Sequence, residues 1–326
     1  MTNKIAWFLV CIIIAIVVNF FIPRMMPGDP IDSLIASMGQ FGAAGKETAQ
    51  SFRELFGVNK PIGEQFLKYL ERLFLHFDLG PSLLYYPKPV ADIIRSRLPW
   101  TIGLLGITTL IAWTLGNVLG ALVGFSKRRK LNSAILLVNI CVSRIPYYLL
   151  ALILVFTLAY SIPIFPTGNA YGILMNVNWG DNNFIADVLR HLILPSLSII
   201  LVSVGGWMVS MRSMLVNILE SDFLIFGESK GIKERDLMME YAFKNALLPQ
   251  VTGLAMSIGF MMGGSLLTEY VFAYPGIGSA FVDGVTGRDY NIVQGVFLFI
   301  IISVLGANLV IDLLYPLIDP RIKTEE

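Results

Sequence analysis

Apolar residues in this chain form six long blocks, separated by stretches that carry most of the charge. Each block is long enough for an α-helix to cross about 30 Å of hydrocarbon, which takes roughly 20 mainly apolar residues. We therefore predict six membrane-spanning helices, over residues 5–23, 99–125, 134–160, 193–216, 247–274 and 293–317. No small-residue cleavage site follows the first block, so we expect an uncleaved helix there and not a signal peptide.

The stretch between the first two blocks predicts a small folded insertion. Apolar residues recur at helical spacing over Gly63–Phe77, and shorter helices are indicated at Ser51–Phe56 and at Val90–Leu98, where the last runs into the second span. Gly39–Ala49 is small and polar, which predicts a mobile link. The residues predicted to line one face of the longest helix are Phe66, Leu67, Leu70, Leu73, Phe74 and Phe77.

Small residues recur every fourth position in two spans, as Gly116-x-x-x-Gly120-x-x-x-Gly124 and as Gly259-x-x-x-Gly263. Such spacing lets helix backbones approach closely in lipid. It fits either tight packing within one bundle or an interface that slides or joins subunits. The adjacent pair Gly205-Gly206 predicts a bend or an unusually close helix crossing.

Composition places the chain among helical membrane proteins. Hydrophobic residues make up 55% and charged residues 14% of its 326 residues, and the mean hydropathy is +0.70. The net charge of +1 argues against nucleic acid as a partner. Cys11 and Cys141 are far apart within apolar blocks, so neither a disulfide framework nor a metal motif is indicated.

Several kinds of chemistry have no motif here. The sequence contains no phosphate-binding loop of the Gly-x-x-x-x-Gly-Lys-Ser/Thr type, no His-Glu-x-x-His and no Cys-x-x-Cys. A relay of carboxylates within the spans, typical of ion-coupled carriers, is also missing. We therefore expect a transport subunit and not an enzyme, driven by a gradient or by a motor on another chain.

The distribution of basic residues predicts the orientation. Residues 125–133 hold four Lys or Arg, and the loop 217–246 holds four more, whereas 161–192 and 275–292 hold one each. Both termini and the 217–246 loop are therefore predicted to be cytoplasmic. The 25–98 insertion would then lie outside the cell despite its basic residues, because long translocated segments weigh little in this rule.

The loop 221–249 carries many charges of both signs in a helix-prone sequence, with Gly231 near its centre. Glycine allows a sharp bend between short helices because it has no side chain to resist a left-handed backbone. A membrane protein needs so much folded, charged structure on a short connection mainly where a soluble partner docks.

Arg144 is an unusual residue for the third span, since a charge near the bilayer midplane costs a few kcal/mol and normally faces a partner or a wet cavity. It precedes Pro146, Tyr147 and Tyr148, and proline frees a backbone carbonyl one turn earlier. Three roles stay open for Arg144: lining the pore, contacting a carbonyl or Glu269, or snorkelling to the membrane surface.

Motifs along the whole chain resemble those of one family of bacterial ABC-importer permeases, which serves dipeptides, oligopeptides, nickel and oligosaccharides. Gly231 lies eighteen residues before Pro249 and Asn245-Ala-Leu-Leu-Pro249 is intact. The other motifs are Phe20–Pro30 with Pro-Gly-Asp-Pro at its end, Phe77–Gly80, Arg97–Pro99, Glu269–Gly278, Arg288–Tyr290 with Val293–Gly295, and Asp312–Tyr315 with Asp319–Arg321. The loop departs from the family at Phe226–Gly231, where Glu228 replaces the usual basic residue.

The resemblance implies an all-α integral membrane protein with six transmembrane helices of the type I ABC-importer permease fold and a small helical extracytoplasmic insertion. The expected domains are an N-terminal helix at 1–24, the insertion at 25–98, a five-helix core at 99–318 with the coupling loop 217–246, and a cytoplasmic tail at 319–326. The expected location is the inner (cytoplasmic) membrane, in contact with lipid.

The resemblance also implies partners and roles. The chain would form half of a pore with a homologous second permease, two ATPase subunits and an extracytoplasmic solute-binding protein; ATP and Mg²⁺ would bind to the ATPases, and this chain would hold no cofactor and no metal. The residues implied for ATPase coupling are Glu228, Lys230, Gly231, Ile232, Glu234, Arg235, Asp236, Asn245 and Pro249. Those implied for the translocation path are Arg144, Pro146, Tyr147, Tyr148 and Glu269. Those implied for docking of the binding protein are Pro27, Gly28, Asp29, Pro30, Asp78 and Gly80, although the insertion would equally serve as structural support for the span ends.

The expected cargo is an oligopeptide, with an oligosaccharide as the alternative and metal complexes or opines behind both. An aromatic pair such as Tyr147-Tyr148 suits a sugar ring as well as a peptide. A self-sufficient channel or secondary carrier is the remote alternative.

Overall fold

The structure, a computed structural model, describes residues 2–37, 43–261 and 265–318, and the regular elements in these ranges are helices. The helices are, in chain order, α1 (Thr2–Arg24), α2 (Pro30–Ser37), α3 (Ala43–Phe56), α4 (Ile62–Glu71), α5 (Val90–Phe125), α6 (Arg129–Ser143), α7 (Tyr147–Leu154), α8 (Asn182–Leu219), α9 (Asp222–Ser229), α10 (Glu234–Asp236), α11 (Lys244–Phe260), α12 (Leu266–Val271), α13 (Ile277–Thr286) and α14 (Tyr290–Ile318). Segments of π-helix follow α4, α7 and α10, at Arg72–His76, Val155–Ser161 and Leu237–Phe243. The predicted all-α class is confirmed.

The chain divides into two compact units. The first combines Met1–Thr101, Met262–Leu266 and Pro275–Glu326, and the second combines Ile102–Met261 with Leu267–Tyr274. Helix α5 begins in the first unit and continues into the second.

The first unit is held together by the start of α5, by α13 and by the start of α14. Val90, Ile93 and Ile94, at helical spacing on α5, are buried against apolar residues of α13 and α14 such as Ile277 and Ile292. Helix α1 joins this unit through amide hydrogen bonds that suit an apolar surrounding. Asn19 Nδ2 donates to the Gln294 carbonyl at 2.9 Å, and Gln294 Nε2 donates to the Phe20 carbonyl at 3.2 Å.

The second unit is built around α8, and glycines let other helices approach it. A Cβ at Gly116 would lie 2.4 Å from Trp207 Cβ, and a Cβ at Gly120 would lie 2.6 Å from the Met208 carbonyl. The small residues of α5 therefore serve tight packing inside one bundle, the first of the two predicted alternatives. Gly205 confirms the predicted close crossing, since its Cβ would lie 2.5 Å from Asn139 Oδ1 on α6. Gly263, in the second repeat, lies outside the described residues.

Six spans were predicted, and the described residues contain four or five. By length and composition, four helices of the described chain are able to cross a membrane, and their apolar stretches are Trp7–Arg24, Val90–Phe125, Asn182–Leu219 and Tyr290–Leu309. A fifth span results if Lys130–Ser143 and Tyr147–Ser161 are taken together, although they meet at 91°. The third predicted span, 134–160, is therefore formed by two helices with a sharp bend between them. Pro146 explains the break, because proline offers no N–H and disfavours helical geometry at the residue before it.

The fifth predicted span, 247–274, is also not one helix. Helix α11 begins at Lys244 and ends at Phe260, and α12 is a separate helix of 6 residues. Two adjacent glycines of low helix propensity stand between them in the sequence, within the segment 262–264 that the structure does not describe.

Two other boundaries differ from the prediction. Helix α8 begins at Asn182, eleven residues before the predicted fourth span, because Asp181 caps it by accepting a 2.9 Å hydrogen bond from the Asn183 N–H. The predicted mobile link Gly39–Ala49 is wrong from residue 43 onward, where α3 has already begun. The helices predicted at Gly63–Phe77 and Val90–Leu98 are confirmed.

Candidate functional site

The charged loop between α8 and α11 folds as two short helical arms joined by a glycine turn. Helix α9 ends at Ser229, and Gly231 takes a left-handed backbone with φ of +74°. The Gly231 N–H donates to the Glu228 carbonyl at 2.9 Å, and the Ile232 N–H donates to the Gly227 carbonyl at 3.3 Å. These two bonds form a Schellman motif, which satisfies the last carbonyls of α9 and reverses the chain. The predicted bend at Gly231 is confirmed.

One face of α9 packs into the second unit. Leu224 is buried with Leu237 and with Met211 and Leu215 of α8. Gly227 permits this approach, since a Cβ there would lie 2.6 Å from Leu237 Cδ2. The segment α9–α10 is therefore a fixed part of its unit and not a loose connection.

The opposite face of α9 presents large apolar side chains outward. Phe223, Ile225 and Phe226 are 46%, 55% and 62% exposed. Lys230 Nζ lies 4.5 Å from the centre of the Phe226 ring, within cation–π range. A groove runs beside this face, lined by Lys127, Leu219, Leu224, Ile225, Glu228, Ile232, Glu234, Leu237 and Met238. Exposed aromatic residues rimmed by charge are typical of a protein interface.

Some of the other predicted coupling residues lie beside this surface, and two lie further along the chain. Lys127 Nζ, on the α5–α6 connection, pairs with Glu234 Oε1 at 3.0 Å and ties that connection to the second arm. Arg235 and Asp236 are exposed on α10. Asn245 and Pro249 stand instead within α11, and Asn245 Nδ2 donates to the Tyr241 carbonyl at 2.6 Å.

The predicted translocation-path residues stand at two places in the chain, the break between α6 and α7 and the helix α12. Arg144 follows α6 at the corner before α7, where its side chain is exposed and forms no ion pair with any described residue. Tyr147, at the start of α7, is 43% exposed. Glu269 is fully buried on α12, and its carbonyl accepts the Tyr274 N–H at 2.8 Å. The described ion pairs include none between Arg144 and Glu269, which was one of the alternatives left open for Arg144.

The Pro-Gly-Asp-Pro motif of the insertion builds the start of α2. Asp29 caps this helix, because its Oδ1 accepts the Ile31 N–H at 2.8 Å, and Pro30 occupies the first helical position. Gly28 has a φ of +98°, a left-handed backbone that favours glycine, and a Cβ there would displace the end of the Arg288 side chain, whose Cζ lies 2.6 Å away. Pro27 is exposed. These contacts explain the motif structurally, and a docking role for it stays a prediction.

Asp78 and Gly80 belong to a second structural site. Its main residue, Asp289, was not among the predicted site residues. The Gly80 N–H donates to Asp78 Oδ1 at 2.8 Å. Nearby, the fully buried Asp289 caps α14, with Oδ1 3.1 Å from the Ile292 N–H. Asp289 Oδ2 accepts three more hydrogen bonds, from Ser82 Oγ at 2.7 Å, the Leu83 N–H at 2.6 Å and the Leu84 N–H at 3.0 Å. The sequence signals for this residue are its place before a long apolar helix and within the Arg288–Tyr290 motif.

A polar cluster of the first unit was also not predicted. Arg97 donates to Ser279 Oγ at 2.8 Å and pairs with Asp283 Oδ2 at 3.3 Å. The Tyr85 hydroxyl donates to the same Asp283 oxygen at 3.1 Å. Burial raises the pKa of Tyr85, so the phenol stays a neutral donor at physiological pH. In the described residues, no group of three or more His, Cys, Asp or Glu is arranged to hold a metal ion.

Several helices long and apolar enough to cross a membrane place the chain among multi-pass membrane proteins. Residues 116–324 match the sequence model of the family described as "Binding-protein-dependent transport system inner membrane component". The match covers more than half of the chain, and the chain belongs to this family.

Similar proteins span nearly the same length. The "Oligopeptide transport system permease protein AppB" of Bacillus subtilis (strain 168) is 30% identical over 94% of this chain and 93% of its own. The "Probable D,D-dipeptide transport system permease protein DdpB" of Escherichia coli (strain K12) is 29% identical over 97% and 95%. The "Dipeptide transport system permease protein DppB" of Lactococcus lactis subsp. cremoris (strain MG1363) is 24% identical over 98% of both. The suspected resemblance is thereby confirmed.

Proposed function

We propose that this chain is one half of the pore of an ATP-driven importer that takes up oligopeptides delivered by a solute-binding protein. ATP hydrolysis belongs to a separate ATPase subunit, which docks on the surface formed by α9 and α10. A homologous permease completes the pore, and both termini of this chain lie in the cytoplasm.

The observation that carries the coupling role is the two-sided construction of α9. Its inner face is fixed in its unit by Leu224 and Gly227, while its outer face exposes Phe223 and Phe226. Large exposed aromatics on a rigid support are typical of interface hot spots. The predicted orientation supports the role, because it places this surface in the cytoplasm, where ATP is available.

The cargo rests on the relatives. Those compared above are named for oligopeptide, D,D-dipeptide and dipeptide transport, which favours a peptide over the oligosaccharide alternative. Arg144 offers a cation for a peptide carboxylate, since it is exposed at the corner between α6 and α7 and forms no ion pair among the described residues.

The test is the ATPase activity of the complex purified through a tag on this chain and reconstituted in liposomes. We expect stimulation by peptide-loaded binding protein and none by the oligosaccharide-loaded form. Stimulation by the sugar-loaded form alone would keep the importer and replace the cargo. Transport by this chain without any co-purifying ATPase would overturn the proposal.

A further inference from the structure

A cationic cleft lies where the first membrane helix meets the insertion. Its lining is Arg24, Phe56, Gly57, Lys60, Gln65, Lys68, Tyr69, Arg72, Asp78, Leu79, Asn291 and Gln294. Four of these residues are cationic and one is acidic. Lys60 pairs with Glu64 at 3.5 Å and Arg72 Nε lies 3.8 Å from Asp78, so two of the cations are partly compensated.

The remaining cations, Arg24 and Lys68, have no acidic partner among the described residues. Arg24 is held in place by neutral groups: Nε donates to Gln65 Oε1 at 3.1 Å, NH1 donates to the Phe20 carbonyl at 2.8 Å, and the guanidinium stacks 3.6 Å from the Phe20 ring centre. A partly buried, oriented guanidinium without a counter-ion favours binding of an anion.

The helical run that supplies Gln65, Lys68, Tyr69 and Arg72 to the cleft also carries exposed apolar side chains. None of the residues in α4 or in the following π-helical segment is buried. Leu67, Phe74, Leu75 and Phe77 are 66%, 58%, 70% and 86% exposed. Of the six side chains predicted to line one face of this helix, Leu67, Phe74 and Phe77 are therefore largely uncovered within the described chain.

This apolar face is continuous with the exposed side of α1. Phe66 lies against Phe20 and Phe21, with ring centres 5.0 and 6.1 Å apart. Phe21 and Ile22 on the same part of α1 are 41% and 43% exposed. Since α1 is one of the membrane-crossing helices, the apolar face of α4 lies at the level where that helix leaves the hydrocarbon.

We infer that α4 is an interfacial helix and that the cleft binds the headgroup phosphate of an anionic phospholipid, in the leaflet that meets the carboxyl end of α1. The apolar side chains rest in the acyl–headgroup boundary, and the cations face the phosphate layer, as amphipathic interfacial helices do. Gln65, Lys68 and Arg72, at i, i+3 and i+7, lie on the cleft side of the helix. The inference depends on the membrane location of the chain and not on its cargo.

The test compares lipids of equal acyl chains on the full chain in uncharged detergent, by native mass spectrometry. We expect phosphatidylglycerol to bind at least about tenfold more tightly than phosphatidylcholine. Lys68→Gln should lower the affinity for phosphatidylglycerol about fivefold. Lys68 is exposed and makes no described contact, so this variant keeps the fold. The double variant Lys68→Gln/Arg72→Gln should lower the affinity for phosphatidylglycerol about 25-fold. Arg95→Gln is the matched control, because Arg95 is an 87% exposed cation of the same unit outside the cleft.

Two further arms separate the sources of the phosphate. Phe74→Ser should lower the affinity for phosphatidylglycerol about tenfold, because apolar contact with the lipid is lost. The affinity for inorganic phosphate should stay unchanged. Equal affinity for the two lipids, or equal losses in Lys68→Gln and Arg95→Gln, would overturn the inference. Tight inorganic phosphate binding with no lipid preference would identify a free-anion site and overturn the lipid assignment.

Discussion

Gly231 offers a substitution that separates folding from partner docking. Its φ of +74° strains any residue with a Cβ by about 1–2 kcal/mol. No described atom lies within 4 Å of a Cβ built at this position. Gly231→Ala and Gly231→Trp should therefore lower the free energy of unfolding by the same amount, since neither side chain meets its own unit. The indole differs only in projecting beside the surface that we propose for the ATPase.

The expected consequence of Gly231→Trp is a loss of coupling without a further loss of stability. An obstruction equal to one interface hot spot costs about 2 kcal/mol, which weakens association with the ATPase about thirtyfold. The assays are thermal unfolding in detergent, co-purification of the ATPase, and uptake by proteoliposomes. Glu228→Lys, on an exposed side chain of the same surface, should likewise reduce uptake relative to ATP hydrolysis.

Gly227→Leu is the contrasting control, because its side chain would collide with Leu237 and damage the fold itself. Gly227→Leu should lower both the unfolding temperature and the rate of uptake. The reasoning is refuted if Gly231→Trp unfolds well below Gly231→Ala, which would mean that the turn is packed inside the chain. It is equally refuted if both Gly231 variants support the same uptake.

Two further pairs test the packing, both by thermal unfolding of the purified chain. Asp289→Asn should lower the free energy of unfolding by about 3 kcal/mol, because an amide has one acceptor oxygen where the two buried carboxylate oxygens receive four donors. Asp283→Asn, on a partly exposed side chain, should lower it by under about 1 kcal/mol. Equal losses in the two variants would contradict the role of Asp289 as a buried acceptor. Gly205→Ala should cost about 1–3 kcal/mol through its clash with Asn139, whereas Gly206→Ala, with open space around it, should stabilise α8 by up to about 1 kcal/mol. A neutral Gly205→Ala would show that α6 yields at this crossing.

Local signals predicted the elements whose boundaries are set within their own sequence. The blocks at 5–23 and 293–317 became α1 and α14, because a long apolar run needs no tertiary information to form a helix. Gly231 was predicted for the same reason, since a left-handed residue after a short helix is a local requirement.

The bend at Pro146 was beyond the sequence, because helices in membranes often continue through a proline when neighbouring groups satisfy the freed carbonyls. Here the carbonyl of Val142 is taken by the Ile145 N–H at 3.1 Å, and the chain turns. Of the pair Gly205-Gly206 on α8, only Gly205 packs closely against α6. Such a contact between distant residues is not visible in periodicity.

The same distinction between local signals and contacts of distant residues applies to the candidate sites. The folded turn of the surface that we propose for ATPase docking was predictable, because its charges and Gly231 are contiguous in the sequence. Asp289 was not, since its partner Ser82 lies 207 residues away. The Pro-Gly-Asp-Pro motif was predicted by resemblance as a docking site, and the hydrogen bond from the Ile31 N–H to Asp29 gives it a cap function that the motif alone did not suggest.

The helical run after the glycine turn has a mechanical consequence. From Glu234 the chain continues through the π-helical segment into α11 and reaches Phe260 without a loop. At about 1.5 Å per residue this run is about 40 Å long, so tilting it by about 5° about one end moves the other by about 3.5 Å. A displacement at the turn is therefore not absorbed by slack backbone. It reaches the far end of the rod as a movement comparable to the width of a water molecule.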